Sequence, residues 1–155
     1  MDLPHFTDEQ RCSIEFIGDS YQRLTGHPLV SGEGDLIERL WSAPLAIVAH
    51  GTQSDPIFFF GNRTALTLFE MDFAAFTRLP SRFSAEPPLR EERTRLLERV
   101  TRDGVINDYA GVRISATGKR FRISNASVWS LTDATGQPIG QAAAFTDWVY
   151  VAQSG

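Results

Sequence analysis

The sequence predicts an α+β fold in which helices cover one face of a five-stranded antiparallel sheet and further helices precede it. Three patterns support this prediction. Apolar residues recur at helical spacing before residue 43, two short apolar runs follow Pro44, and apolar residues alternate with polar ones from Ile106 onward. With 155 residues, 42% of them hydrophobic and 11 of them Phe, the chain is long enough for one domain with an aromatic core.

Residues 1–43 are predicted to be a helical N-terminal extension. Thr7 and Gln10 have the spacing of a capping box, and apolar residues follow them at helical spacing, which predicts a helix over residues 7–25. A second short helix is predicted over Leu36–Ser42. We expect the apolar stripe of the first helix to pack on the sheet or on a second copy of the chain, with a homodimer as the favoured arrangement.

The main domain is predicted over residues 44–152. Leu45–Ala49 and Pro56–Phe60 are compact apolar runs joined by a polar connection of hairpin length, which predicts two strands. Asn62 and Asp72 are residue types that favour the N-cap position, so each is expected to begin a short helix.

A longer helix and a three-stranded meander complete the predicted order. The helix is expected over residues 88–103, because proline suits the first helical position and Gly104 is a typical C-terminal stop. The three strands follow, and the last is expected over Ile139–Tyr150. One face of the middle strand is predicted to carry Phe121, Ile123, Trp129 and Leu131.

This order resembles the PAS fold, and several segments are similar to a narrower family. Residues 44–148 contain PIFFFGNRTALTLFE, LPSRFSAEPPLREERTRLLERV, YAGVRISATGKRFRISNASVW and GQAAAFTDW. These segments resemble bacterial members of the MEKHLA family, a PAS-related domain that also ends the plant class III homeodomain–leucine-zipper proteins. The resemblance implies a PAS-like fold with a sensory or regulatory role and no established ligand.

Composition limits the partners and the compartment. The formal net charge is −4 and the basic residues are spread along the chain, which argues against nucleic-acid binding. Cys12 is the only cysteine, so no internal disulfide can form and a reducing cytoplasm is expected. The N-terminus lacks a signal-peptide pattern, and no apolar run approaches the roughly 20 residues that span a membrane. Because the chain stops just after the last predicted strand, we expect a signal to pass through dimerisation or a separate partner protein.

Neither an enzyme nor a bound metal is expected. The chain has no Gly-rich phosphate loop, no HExxH and no GxSxG, so no catalytic residue is predicted. The alternative is a small cone-shaped α+β enzyme of the ketosteroid-isomerase type, which needs a carboxylate or His base beside a donor such as Tyr. Asp108 and Tyr109 are adjacent and so point to opposite faces of a strand.

The resemblance also bears on cofactors. Haem-binding PAS sensors typically take a His from the long helix, and residues 88–103 contain none. Light-sensing flavin PAS domains need a reactive Cys in the helical region, which Cys12 precedes. Haem and covalently bound flavin are therefore not expected, whereas non-covalent flavin stays open, and the cofactor is unknown.

A ligand pocket is predicted between the sheet, the loop Leu79–Pro88 and the start of the following helix. Arginines and the helix N-terminus favour an anion, so the expected ligand has a carboxylate and an apolar or aromatic body. The alternative is that Arg93 pairs with Glu86 in a purely structural role. The predicted lining is Phe60, Phe69, Arg82, Phe83, Arg90, Arg93, Phe121 and Phe145.

One further strand face contains an arginine. Tyr109, Gly111 and Arg113 alternate on the first strand of the meander and therefore share a face. This face is predicted to be solvated, because antiparallel sheets commonly keep one side wet. The alternative is that the N-terminal helices or a second subunit cover it.

Overall fold

The structure, a computed structural model, describes residues 2–84 and 90–151. The helices are α1 (Asp8–Thr25), α2 (Leu36–Ser42), α3 (Arg63–Phe69), α4 (Phe73–Phe76) and α5 (Arg90–Asp103), with a 3-10 turn at Ser81–Ser84. The strands are β1 (Ala46–His50), β2 (Phe58–Gly61), β3 (Val105–Ile114), β4 (Arg120–Thr132), β5 (Pro138–Phe145) and β6 (Asp147–Tyr150). None of these helices in the described ranges is long and apolar enough to cross a membrane.

The strands form one antiparallel sheet in the order β2-β1-β5-β4-β3, and the predicted α+β architecture is confirmed. One predicted strand is divided in two. Ile139–Tyr150 was expected to be continuous, but the chain leaves the ladder at Thr146. As a result β5 pairs with the C-terminal half of β4, while β6 pairs with its N-terminal half.

The predicted helix starts are confirmed by their caps. The Thr7 side chain accepts a hydrogen bond from the Gln10 backbone N–H at 3.1 Å, and the Gln10 side chain accepts one from the Thr7 backbone at 2.8 Å. Asn62 and Asp72 each accept a bond from the backbone N–H three residues later. These interactions satisfy helix donors that have no partner within their own helix.

Helices cover both faces of the sheet. On one face lie α3 and α5, which contribute Phe69 and Leu96. On the other lies α1, where the indole Nε1 of Trp129 donates to the Ile17 carbonyl at 3.1 Å. The Ser20 hydroxyl accepts from the Thr132 N–H at 3.1 Å. The apolar stripe of α1 thus packs on the sheet of its own chain.

A bulge in β4 overturns one predicted face. Asn125 has φ of 54°, a left-handed conformation that Asn tolerates better than most residues. The extra residue reverses the alternation of side chains. Phe121 therefore contacts Phe69, with ring centroids 5.3 Å apart, whereas Trp129 faces α1. The prediction that Phe121, Ile123, Trp129 and Leu131 share one face is wrong.

Candidate functional site

A cavity of about 60 Å³ lies between the sheet and the helices of the α5 side. Phe69 of α3, Ser84 of the 3-10 turn and Leu96 of α5 line it from the helical side. The lining from the sheet includes Val48, His50, Ile123, Val128, Gln141 and Phe145.

The first strand of the meander supplies two further lining residues, Tyr109 and Arg113. Both residues are half-buried, so the face that was predicted to be solvated is only partly so. The C-terminal half of α5 packs against this side of the sheet, where Val100 joins Ile106 and Val128 in a buried cluster. The face is therefore partly covered, and it is α5 that covers it and not the N-terminal helices.

Arg113 is half-buried on this face, and its described contacts are few. Its guanidinium carbon lies 5.2 Å from the centroid of the Tyr109 ring, and its Nη1 donates to the Val112 carbonyl at a long 3.4 Å. Burial lowers the pKa of Arg113, and the interactions with Tyr109 raise that pKa by less. Among the side chains that the structure describes, no carboxylate forms a salt bridge with it.

Gly111 determines where the Tyr109 side chain lies. A Cβ atom at Gly111 would stand 2.5 Å from the Tyr109 hydroxyl oxygen, closer than real Cβ contacts. The tyrosine therefore folds back over its own strand only because residue 111 has no side chain. This arrangement places the aromatic ring beside the Arg113 guanidinium.

Of the predicted aromatic lining, Phe69 and Phe145 border the cavity. Phe121 is fully buried beneath Phe69 and is not among the described lining residues. Phe60 lies near Phe73, with ring centroids 6.4 Å apart, whereas Phe58 lines the cavity. The sequence could not distinguish these two residues, because all three positions of the Phe58–Phe60 run are equally apolar.

The predicted arginines are not brought together in the cavity. Arg82 pairs with Asp55 at 3.0 Å near the surface, and its guanidinium carbon lies 4.1 Å from the Phe83 ring centroid. Phe83 itself is 45% exposed. Asp55 thus pairs with Arg82 where both side chains stay partly exposed, so the charge is only partly desolvated. The side chains of Arg90 and Arg93, and the proposed partner Glu86, lie outside the described residues.

Arg113 was not predicted as a site residue, although one signal was present. It alternates with Tyr109 and Gly111, which places all three on one face. What the sequence did not reveal is which face α5 would cover. The isomerase alternative gains no support here, because no Asp or Glu is among the described cavity residues and Asp108 is exposed beside Arg99 at 3.2 Å.

The cavity does not fit a flavin. Sites for ligands of that size usually enclose roughly 300–1,000 Å³, far more than the ≈ 60 Å³ found between these walls. Cys12, the only cysteine, is exposed on α1. A flavin would therefore require a different arrangement of the cavity-lining side chains.

The sequence model of the MEKHLA domain matches residues 12–150. The chain belongs to the MEKHLA domain family. The match begins inside α1, so both N-terminal helices lie within it for most of their length. MEKHLA membership points to a non-enzymatic role. The division of the chain at residue 43 stays a prediction.

The MEKHLA chain is similar in sequence to a plant protein. It is 26% identical over 145 residues to the homeobox-leucine zipper protein ATHB-14 of Arabidopsis thaliana, covering 89% of this chain. The chain spans only 17% of the plant protein's length.

The solved structures show a PAS/LOV-like fold. A PAS domain from Colwellia psychrerythraea has a TM-score of 0.59 at 16% identity, over 74% of this chain and 92% of that one. An RNA-binding light-oxygen-voltage receptor has a TM-score of 0.62 at 16% identity, over 79% of this chain and 36% of that one. The light-state dimer of the fungal blue-light photoreceptor Vivid has a TM-score of 0.58 at 15% identity, over 92% of this chain and 95% of that one.

Proposed function

We propose that this MEKHLA chain is a sensory or regulatory domain that binds a small molecule in the cavity between the sheet and α5. The observation that supports the proposal is the lining itself. An apolar cavity contains a few converging polar side chains, those of His50, Arg113 and Gln141. Ligand sites in proteins typically have this composition, because apolar walls supply affinity and a few polar groups supply orientation.

The arrangement of β4 supports a route from the cavity to α1. Val128 lines the cavity, and the next residue, Trp129, bonds to α1 through the Ile17 carbonyl. Adjacent residues of a strand point to opposite faces, so a displacement of β4 acts on both. Occupancy of the cavity would thereby change how α1 docks on the other face.

Filling the cavity tests this function. Ala143 lines the cavity, so Ala143→Leu would extend a side chain into the space that the ligand needs. We expect native mass spectrometry of the purified wild-type protein to show a co-purifying small molecule, and Ala143→Leu to remove it. Ala110→Leu makes the same change at an exposed position and should retain the molecule. Equal retention by both variants would place the ligand elsewhere and contradict the proposal.

Homodimerisation is a second candidate, favoured by an exposed apolar strand. Val149 and Tyr150 of β6 are 72% and 57% exposed. Within the described residues β6 pairs only with β4, and edge strands with apolar side chains are ready sites for association. The Vivid structure is a light-state dimer of the same fold.

Light scattering at micromolar concentration tests the dimer. We expect wild-type protein to have twice the monomer mass and Val149→Lys to be monomeric, because lysine on an edge strand disfavours pairing. Leu24→Lys alters an apolar residue that is 42% exposed on α1 and should leave the dimer intact. Association through β6 would be ruled out if the wild-type protein were monomeric, or if both variants lost the dimer to the same extent.

A further inference from the structure

Arg113 is a positive charge in the cavity wall with no acidic counterpart among the described residues. A guanidinium has five N–H donors. The described contacts of Arg113 are the Tyr109 ring and hydroxyl group and a 3.4 Å bond to the Val112 carbonyl. No Asp or Glu is among the described side chains that line the cavity. Arg113 is half-buried, and a partly desolvated cation without an ionic partner is unfavourable, so an anion would be stabilised beside it.

We infer that Arg113 binds the carboxylate of the small molecule that the cavity receives. This inference rests on the proposed function and names the ligand's chemical class. The guanidinium is planar and can donate two parallel hydrogen bonds to a planar carboxylate. Tyr109 lies against it, 5.2 Å from ring centroid to guanidinium carbon, and Gly111 allows this position. The arginine is thereby held in place before a ligand arrives.

The volume of the described cavity favours a short carboxylate. An apolar cavity of about 150 Å³ accommodates benzene, which has six heavy atoms. The present cavity of about 60 Å³ is less than half as large, so it has space for a molecule of three or four heavy atoms. Formate and acetate have this size. The ligand is therefore a carboxylate of one or two carbons, bound with its charge at Arg113 and its carbon end toward Val128 and Phe145.

Formate and acetate, with their neutral isosteres formamide and acetamide, are the probes for this site. We expect both carboxylates, but not the amides, to raise Tm at constant ionic strength. In Arg113→Met the Kd for acetate should rise about 10- to 100-fold, as expected for the loss of charge-assisted hydrogen bonds. Without ligand this variant should keep or raise Tm, because an apolar side chain replaces an unpaired cation. Arg122→Met, at an exposed position of β4, should leave the response unchanged.

The possible outcomes separate this inference from the proposed function. An acetate response that persists in Arg113→Met, or no response of the wild-type protein, overturns the inference. Equal binding of acetate and acetamide that Ala143→Leu abolishes also overturns it, but leaves a small-molecule cavity intact. A large fall in Tm of unligated Arg113→Met shows a structural partner and contradicts the inference. Arg113→Lys is the conservative variant: it retains the charge without the planar fork, so it should fold and bind acetate more weakly than the wild-type protein.

Discussion

Asn62 forms a buried hydrogen-bond network with four backbone groups of the chain. Its Oδ1 accepts from the Ile47 and Ala65 backbone N–H groups, both at 3.0 Å. Its Nδ2 donates to the Leu40 carbonyl at 3.0 Å and the Leu45 carbonyl at 2.8 Å. The side chain has no exposed surface. A single amide thereby satisfies backbone groups at the end of α2, in β1 and at the start of α3.

Asn62→Ala should be strongly destabilising. The substitution leaves several buried backbone groups without a partner and removes a helix cap, so we expect a loss of about 3–5 kcal/mol of unfolding free energy. Asp72→Ala is the matched control, because Asp72 also caps a helix but makes one exposed bond, worth about 1 kcal/mol. Urea denaturation of both variants measures the difference. Similar losses would contradict a special role of the buried network.

At the scale of single residues, local interactions were predictable and tertiary ones were not. The cap role of Asn62 follows from residue type and position, since its partner is three residues away. Its bonds to Leu40 and Leu45 depend on where α2 and β1 meet, which no local pattern contains. Arg82 shows the same limit, because its partner Asp55 lies 27 residues away.

The elements of secondary structure were predicted better than the faces they present. The cap at Thr7, the stop at Gly104 and the length of α2 all follow from short-range chemistry. The bulge at Asn125 does not, because an asparagine within a strand pattern does not by itself show that its backbone is left-handed. One inserted residue moves every later side chain to the opposite face, so a local error changes the whole strand.

Close approach between β1 and β5 is a second feature that the element pattern does not reveal. A Cβ atom at Gly140 would lie 1.9 Å from the His50 carbonyl oxygen, so only glycine permits this spacing. The two strands then pair in register from Ala46 and Phe145 to His50 and Gln141. Since His50 and Gln141 both line the cavity, the same contact determines the distance between two of its polar groups.

For the whole molecule, the N-terminal helices and the sheet share one core. The buried cluster runs from Phe6 through Ile14 and Ile17 of α1 to Phe145 of β5. Phe6 contacts Phe73 with ring centroids 5.4 Å apart. Because α1 covers the face that carries Trp129, its removal would expose this large apolar side chain to water. The family match from residue 12 agrees with a domain that includes α1.

We therefore expect residues 44–151 alone not to fold, which would contradict a domain boundary at residue 43. In the full chain, Ile17→Ala should lower the unfolding free energy by about 2–5 kcal/mol, as for buried large-to-small substitutions. Asp19→Ala alters an exposed residue of the same helix and should change the unfolding free energy by less than about 0.5 kcal/mol. Chemical denaturation followed by near-UV circular dichroism measures both. If residues 44–151 unfold cooperatively with the stability of the full chain, then α1 is a dispensable addition, and the proposed route from the cavity through Trp129 to α1 would lack its energetic basis.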